Sequence, residues 1–378
     1  MFERKNPLVI EIDSISNLIH FFTIKQDKTV LHDFSSFKFL NFDESFFASF
    51  ENAVKAFREK NEHLALGRVN ILLPNTAFIT DTFKIPAIKQ AAIKNSLNVS
   101  IEAIYKNHNE IIFNEMVTSK TKSFIHISVT GLKKEIVSHF HKVCASNQLQ
   151  LNKITCVSSA TANGALVANP KLNGASYLLV DIKEDCANFA LVIKGFAMGF
   201  YSLPFGYNIL QDDRIVPEDL LFNHGHAELL VLNAKEKARN KALTVREDAP
   251  EEEGAPTDEE EFEMGEVRGK RKLPKFLQRE MPEDQQEVIY ENFRYFVKWI
   301  ADFIKQNNEI VSLDKIEKVY VNMPERFRFL FEKTNERFYD KTIEFMPIEA
   351  NKANENSLAN LDLFGGLNLM QYNKQNTF

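Results

Sequence analysis

Two stretches far apart in this chain follow one pattern, an apolar strand that runs into a short acidic turn. The first is Val9-Ile10-Glu11-Ile12-Asp13-Ser14-Ile15-Ser16, and the second is Leu178-Leu179-Val180-Asp181-Ile182-Lys183-Glu184-Asp185. No other feature constrains the fold as much. A repeated strand-and-turn opening implies two related α/β halves, each burying a sheet against helices.

The remaining elements fit between and around these openings. Leu18-Ile19-His20-Phe21-Phe22-Thr23-Ile24 is nearly all apolar and reads as a strand covered on both faces. Phe46, Phe47, Phe50, Val54 and Phe57 recur at helical spacing, predicting a helix over Phe46–Asn61 with Asp43 or Ser45 as its cap. Val69-Asn70-Ile71-Leu72-Leu73-Pro74 is a further strand. From 76 to 150 the order becomes strand (Ala77–Ile85), helix (Lys89–Leu97), strands (Ile111–Val117 and Ser123–Val129) and helix (Leu132–Asn147). That order describes a compact α+β unit inserted into a larger domain.

The second half continues with a strand at Ile154–Val157, a small-residue helix over Ser158–Val167 and a hairpin turning at Lys194-Gly195. Helices are expected over Asp213–Lys241, Gln285–Gln306 (holding the only tryptophan, Trp299), Glu325–Asn335 and Ser357–Leu369, with a strand over Lys315–Asn322. Between Glu247 and Glu266 the chain is dense in Asp and Glu with no Lys or Arg, and Arg268-Gly269-Lys270-Arg271-Lys272 follows. Such a biased segment reads as a solvated, disordered insertion.

Composition excludes several classes. A net charge of −6 argues against a general nucleic-acid binder, which needs a basic balance. No apolar run is long enough for a transmembrane helix, and the first residues lack a signal-peptide pattern. Cys144, Cys156 and Cys186 are odd in number and show no CxxC spacing. They form neither a disulfide framework nor a zinc site, so a reducing cytoplasm is the expected compartment. Glycine, at 13 of 378 residues, has about half its usual share, and loops that cradle phosphates on backbone amides need it.

The duplicated openings with an inserted α+β unit resemble the actin-like ATPase superfamily. Within it they are most similar to the bacterial branch that holds PilM of type IV pilus assembly, the cytoplasmic part of the type II secretion protein GspL, and the division protein FtsA. Leu179-Val180-Asp181-Ile182, the hairpin, and Ser202-Leu203-Pro204-Phe205-Gly206 follow that branch's strand, hairpin and R-x-I-P-x-G order. Val69–Pro74 followed by Phe83-Lys84-Ile85-Pro86-Ala87 resembles its passage into the inserted subdomain, and Ile125–Val157 the return from it.

The resemblance implies an α/β, two-lobed, ribonuclease H-like duplication with an inserted α+β subdomain. It divides the chain into a first lobe (1–75), the inserted subdomain (76–150), a second lobe (151–241, continued at 284–350), the acidic-basic insertion (242–283) and a C-terminal helix and tail returning to the first lobe (351–378). Active members hold ATP through Asp-Ile-Gly turns in both halves and a Gly-Gly after a later strand. Here Glu11-Ile12-Asp13 and Asp181-Ile182-Lys183 stand at the two turns, and Val319-Tyr320-Val321-Asn322 runs into Met323-Pro324. All three elements have lost glycine. Asp13, Glu184 and Asp185 also add negative charge where a phosphate must sit, and two like charges 4 Å apart repel by about 4 kcal/mol at an effective dielectric of about 20.

The resemblance therefore implies a pseudo-ATPase with no catalytic residue, no metal site and no cofactor, ATP with magnesium being disfavoured. Its vestigial cleft is formed by Glu11, Asp13, Ser14, Asp181, Lys183, Glu184, Asp185, Asn322 and Met323. It implies a cytoplasmic scaffold in a pilus or type II-like secretion assembly, peripheral to the inner membrane through a partner. That partner is the cytoplasmic tail of a single-pass inner-membrane protein, captured between the first lobe and the inserted subdomain, with an assembly ATPase as a second candidate. The alternatives are an active actin-fold ATPase or sugar kinase and an FtsA-like division protein. The latter ends in a membrane-targeting amphipathic helix, and Leu367–Phe378 shows no such pattern.

Other motifs carry less. His139-Phe140-His141 points two imidazoles to different sides of a helix, and His224-Gly225-His226 lacks a third ligand. No HExxH, GxSxG or Walker A sequence occurs. Cys186 sits among acidic residues, which raise a thiol pKa and weaken it as a nucleophile.

Overall fold

A computed structural model describes residues 6–14, 16–24, 30–38, 41–88, 90–184, 186–203, 206–207, 287–290, 292–294, 316, 318–333, 337–338, 341–346 and 361–367. The chain divides into two units, 1–207 with 305–378, and 208–304. In the second unit residues 287–290 and 292–294 are helical, with Ile289 and Phe293 buried. The segments at 213–241 and 245–282, Trp299 and Asp185 lie outside the described residues.

The first unit holds three sheets. The first joins β1 (Asn6–Asp13), β2 (Leu18–Ile24), β3 (Val30–Ser36), β4 (Leu66–Leu73) and β8 (Gln150–Cys156) in the order β3-β2-β1-β4-β8. The inserted sheet has the order β5-β7-β6, from β5 (Ile79–Pro86), β6 (Ile111–Lys120) and β7 (Phe124–Lys133). The third sheet joins β9 (Tyr177–Ile182), β10 (Ala187–Ile193), β11 (Phe196–Leu203), β12 (Lys318–Asn322), β13 (Arg337–Phe338) and β14 (Lys341–Phe345) in the order β11-β10-β9-β12-β14-β13.

The first and third sheets repeat one topology. β1 pairs antiparallel with β2 and parallel with β4, and β9 pairs antiparallel with β10 and parallel with β12. Glu11 and Asp181 therefore occupy equivalent places near the ends of equivalent central strands. Both strands are apolar and buried along almost their whole length, as a strand flanked on both sides and covered on both faces requires. The Lys194-Gly195 turn between β10 and β11 puts both residues at positive φ, 51° and 81°, which suits a two-residue hairpin.

The helices are α1 (Glu44–Lys60), α2 (Gln90–Ile104), α3 (Lys134–Ser146), α4 (Val157–Ala168), α5 (Phe329–Lys333) and α6 (Leu361–Leu367). Asp43 caps α1, its Oδ1 accepting from the Phe46 amide at 3.0 Å. The aromatic residues meet beneath the first sheet. Phe21 stacks on Phe57 at 4.5 Å between ring centroids, and Phe50 meets Phe140 of α3 edge-on at 4.7 Å. His139 lies on the Phe47 ring at 4.1 Å, so its imidazole fills a packing role.

Three sequence expectations change in detail. The strand β3 was not expected: Val30-Leu31-His32-Asp33-Phe34-Ser35-Ser36 is too polar to show a clear period, as suits a strand at a sheet edge. The helix α2 runs to Ile104 rather than Leu97, because Val99 and Ile104 are exposed and blur the apolar stripe that Leu97 and Ile101 bury. The helix expected over Glu325–Asn335 is a 3-10 turn at Glu325–Phe327 followed by α5.

The small-residue helix α4 lies under the first and third sheets and against α6. Here glycine is a packing requirement. A Cβ on Gly164 would fall on the Leu361 carbonyl oxygen, and one on Gly365 on that of Ala160. Asn163 donates to the Gly365 carbonyl and Asn70 to that of Gly366, both at 2.7 Å. These bonds satisfy carbonyls at the end of a short helix that would otherwise be buried unpaired.

Candidate functional site

The two central strands deliver their acidic residues to one place. Glu11 near the end of β1 is 5% exposed, and Asp181 near the end of β9 is 3% exposed. Lys183, just past β9, reaches between the halves. Its ammonium pairs with the fully buried carboxylate of Asp362 and lies 3.4 Å from Glu11 Oε1. Asn322, ending β12, donates to Asp181 Oδ1 at 2.7 Å, while Asp181 Oδ2 is buried with no hydrogen-bond partner. Met323 follows, buried at 5%.

The electrostatics follow from burial and one cation. Burial, then the neighbouring Asp362 charge, pushes Glu11 well above the usual carboxylate range. Burial would also raise Asp362, but the Lys183 ammonium outweighs it and holds that carboxyl below its ordinary value. For Lys183 burial acts downward, yet Asp362, Glu11 and Asp181 outweigh it and hold the amine well above its ordinary range. Asp181 is pushed up to about 7, mainly by burial. The site is thus a lysine–aspartate ion pair with a buried Glu11 beside it whose protonated form burial favours.

The other expected residues point elsewhere. Asp13 turns back on its own loop, accepting from Ser16 Oγ at 2.6 Å, with His20 Nε2 at 4.0 Å. Ser14 is partly exposed, and Glu184 is exposed to solvent. Asp13 still lies close enough for its charge to raise the pKa of Glu11. The Cys186 thiol is pushed up to about 12 by burial, with the nearby carboxylates adding to the shift. The sequence reading missed Asp362. Its signal was a lone acid inside Leu361-Asp362-Leu363-Phe364, since a charge on an apolar helix face needs a buried partner.

The groups around the second turn are already paired within the chain. The Lys183 amide already donates to the Cys186 carbonyl at 2.8 Å, and the Lys183 carbonyl accepts from the Tyr207 amide at 2.9 Å. Gly206 is the glycine that lies against this turn, but a Cβ there would strike the Lys183 carbonyl oxygen, so its small size serves chain packing. Asp362 and Glu11 are both engaged by Lys183.

Asp181 gives a pH signature with a definite sign. Its pKa rises from an ordinary 3.8 to about 7 on folding, so the folded state holds a proton that the unfolded state releases. Stability contributed by that proton is present below the unfolded value and lost as pH rises toward the folded one. Asp181→Asn is expected to flatten this part of the slope and to add on the order of 4 kcal/mol at pH about 8, one pKa unit being about 1.36 kcal/mol. Urea midpoints at acid and alkaline pH measure it, and equal slopes in both proteins would refute the assignment.

No protein-family model matches the chain, and no curated protein does. Solved structures do. A chain of the PilM–PilN type IV pilus biogenesis complex is 9% identical, with a TM-score of 0.52 over 96% of each chain. The cytoplasmic domain of EpsL, an inner-membrane component of the type II secretion system of Vibrio cholerae, is 12% identical over 58% of this chain and 79% of its own, with a TM-score of 0.36. The ethanolamine utilization protein EutJ from Carboxydothermus hydrogenoformans is 12% identical over 96% and 90%, with a TM-score of 0.42. The repeated sheets, the inserted subdomain and the likeness to the pilus complex together give this chain the two-lobed actin-like fold.

Proposed function

We propose that the chain is a pseudo-ATPase scaffold of a type IV pilus or type II-like secretion assembly. It holds the cytoplasmic tail of a single-pass inner-membrane partner and so sits at the cytoplasmic face of that membrane. The observation that carries the first half of this reading is Lys183. Its ammonium, joined to Asp362 and beside Glu11, fills the meeting point of the two turns. A magnesium–phosphate group brought there would have to displace a buried ion pair. The second half is supported by a fold shared with a chain of a complex named for PilM and PilN.

The tail is proposed to lie between the first lobe and the inserted subdomain, ordered by backbone hydrogen bonds and apolar pockets. The inserted sheet offers two edge strands, β5 and β6, for such pairing.

Two titrations test the reading. Calorimetry with magnesium ATP is expected to show no binding up to millimolar nucleotide; binding below that would favour the active ATPase or kinase instead. A synthetic tail from a single-pass protein of the same pilus or secretion system is expected to bind with one-to-one stoichiometry. Failure of every such tail, with division-ring proteins recovered after cross-linking in cells, would favour the division-type alternative.

A further inference from the structure

The inserted subdomain ends in a basic and apolar tip. β5 closes at Pro86, and the Ala87 amide donates to the Ser123 carbonyl at 2.9 Å, holding the segment before α2 against the turn that joins β6 to β7. Three apolar side chains near this end are exposed: Ile88 (36%), Phe124 (39%) on the sheet face it shares with Lys84, and Val117 (56%) on the opposite face. Lys84 lies 4.2 Å from the Phe124 ring centre, and Lys120 and Lys122 flank the same turn, exposed. The amino end of α2, with the positive end of its backbone dipole, opens beside them.

The charge pattern is one-sided although the whole chain is acidic at −6. No Asp or Glu occurs between Thr82 and Ile101 or between Met116 and Lys134. The acids that border these stretches are largely engaged: Asp81 accepts from the Tyr105 hydroxyl at 3.0 Å, and Glu102 lies 3.7 Å from His108. Glu115, two residues before Val117, is the nearest exposed carboxylate along β6.

We propose that this tip docks on an anionic lipid surface. Lysines supply the long-range attraction to a negatively charged leaflet, and the apolar side chains supply the short-range anchor, two weak signals that hold a protein when combined. The residue types favour lipid over an acidic protein. The inserted subdomain has no arginine, the side chain whose planar fork grips a carboxylate in two places. Its lysines are point charges on flexible stems, suited to diffuse, moving headgroups. Ile88 and Phe124 lie beside a hairpin turn, where they can enter an interface that yields to them. The contact is separate from tail capture, so it is tested without any partner.

The full chain is floated with vesicles of phosphatidylcholine alone or of phosphatidylcholine with phosphatidylglycerol. Binding is expected only with phosphatidylglycerol, weakening as salt rises, because exposed charges are screened beyond about 8–10 Å at physiological ionic strength. The double variant K120E/K122E is expected to bind at least about tenfold more weakly, and Phe124→Ser to weaken binding with little change in its salt dependence. All three positions are exposed, so circular dichroism should match the parent. Absence of binding to phosphatidylglycerol vesicles, or equal binding by parent and K120E/K122E, overturns the proposal. So does capture of soluble polyglutamate by a protein that ignores the vesicles, which would make an acidic polypeptide the occupant.

Discussion

Gly365→Val is expected to cost at least about 3 kcal/mol, a large share of the about 5–15 kcal/mol total of an ordinary domain. The reason lies in what faces the missing Cβ. On Gly365 it would meet the Ala160 carbonyl oxygen and the Gly164 amide, which are backbone atoms of α4. A side chain in the way can change rotamer, but a helix backbone can only move as a whole. Separating α4 from α6 would also break the bond from Asn163 to Gly365. Gly164→Ala tests the same contact from the other side. Helix propensity alone predicts a gain of about 1 kcal/mol for that change, whereas the Leu361 carbonyl predicts a net loss. Gly366→Ala is the control: its Cβ would meet only methyl groups of Val9 and Leu72 at 3.1–3.2 Å, which can give way. Urea unfolding of the three variants should rank Gly365→Val worst and Gly366→Ala mildest. A stabilised Gly164→Ala would show that the helices are not in backbone contact.

Lys183→Met is expected to cost about 3–5 kcal/mol at neutral pH, the usual penalty for leaving a buried charge without its partner. Methionine keeps the length of the stem and removes only the ammonium. Asp362 is fully buried and then has no cation beside it. The pH dependence separates this from a packing effect. In the parent, the Asp362 carboxyl is held below its ordinary value, so its contribution to stability is present above the unfolded pKa and lost as pH falls through the folded one. In the variant, burial acts without the ammonium and the shift changes sign, so stability is lost as pH rises instead. The two proteins should therefore differ most near neutrality, and the gap should narrow as pH falls through the folded pKa of Asp362 in the parent. A constant gap at every pH would mean that the lysine stem, not its charge, supports the fold.

Much of the fold was legible because its signals are local. The strands β1, β2, β4 and β9 are dense apolar runs, α1 carries phenylalanine at helical spacing, and the Lys194-Gly195 turn marks its own hairpin. The strand β3 was not legible, because an edge strand needs little apolar surface and its polar residues mask the alternation. The site was half legible. Glu11 and Asp181 were found at the acidic positions of the two turns, Lys183 at a lost glycine and Asn322 at the end of the strand before a lost Gly-Gly, and the structure brings these four together. From the same turns, Asp13 also bonds within its own loop and Glu184 stands in solvent, since turn residues are aimed by local backbone geometry that spacing does not encode.

The sequence by itself determined that the chain is a duplication, that its turns lack glycine and that its core is rich in phenylalanine. These are properties of neighbouring residues, and short-range physics writes them directly into composition and period. Only the tertiary structure decided that Lys183 reaches Asp362, because the two are joined by a helix that returns to the first sheet from far along the chain. The same holds for Gly164 and Gly365. Each is an ordinary helix glycine until the other helix arrives, and the contact that forbids a side chain exists only between them.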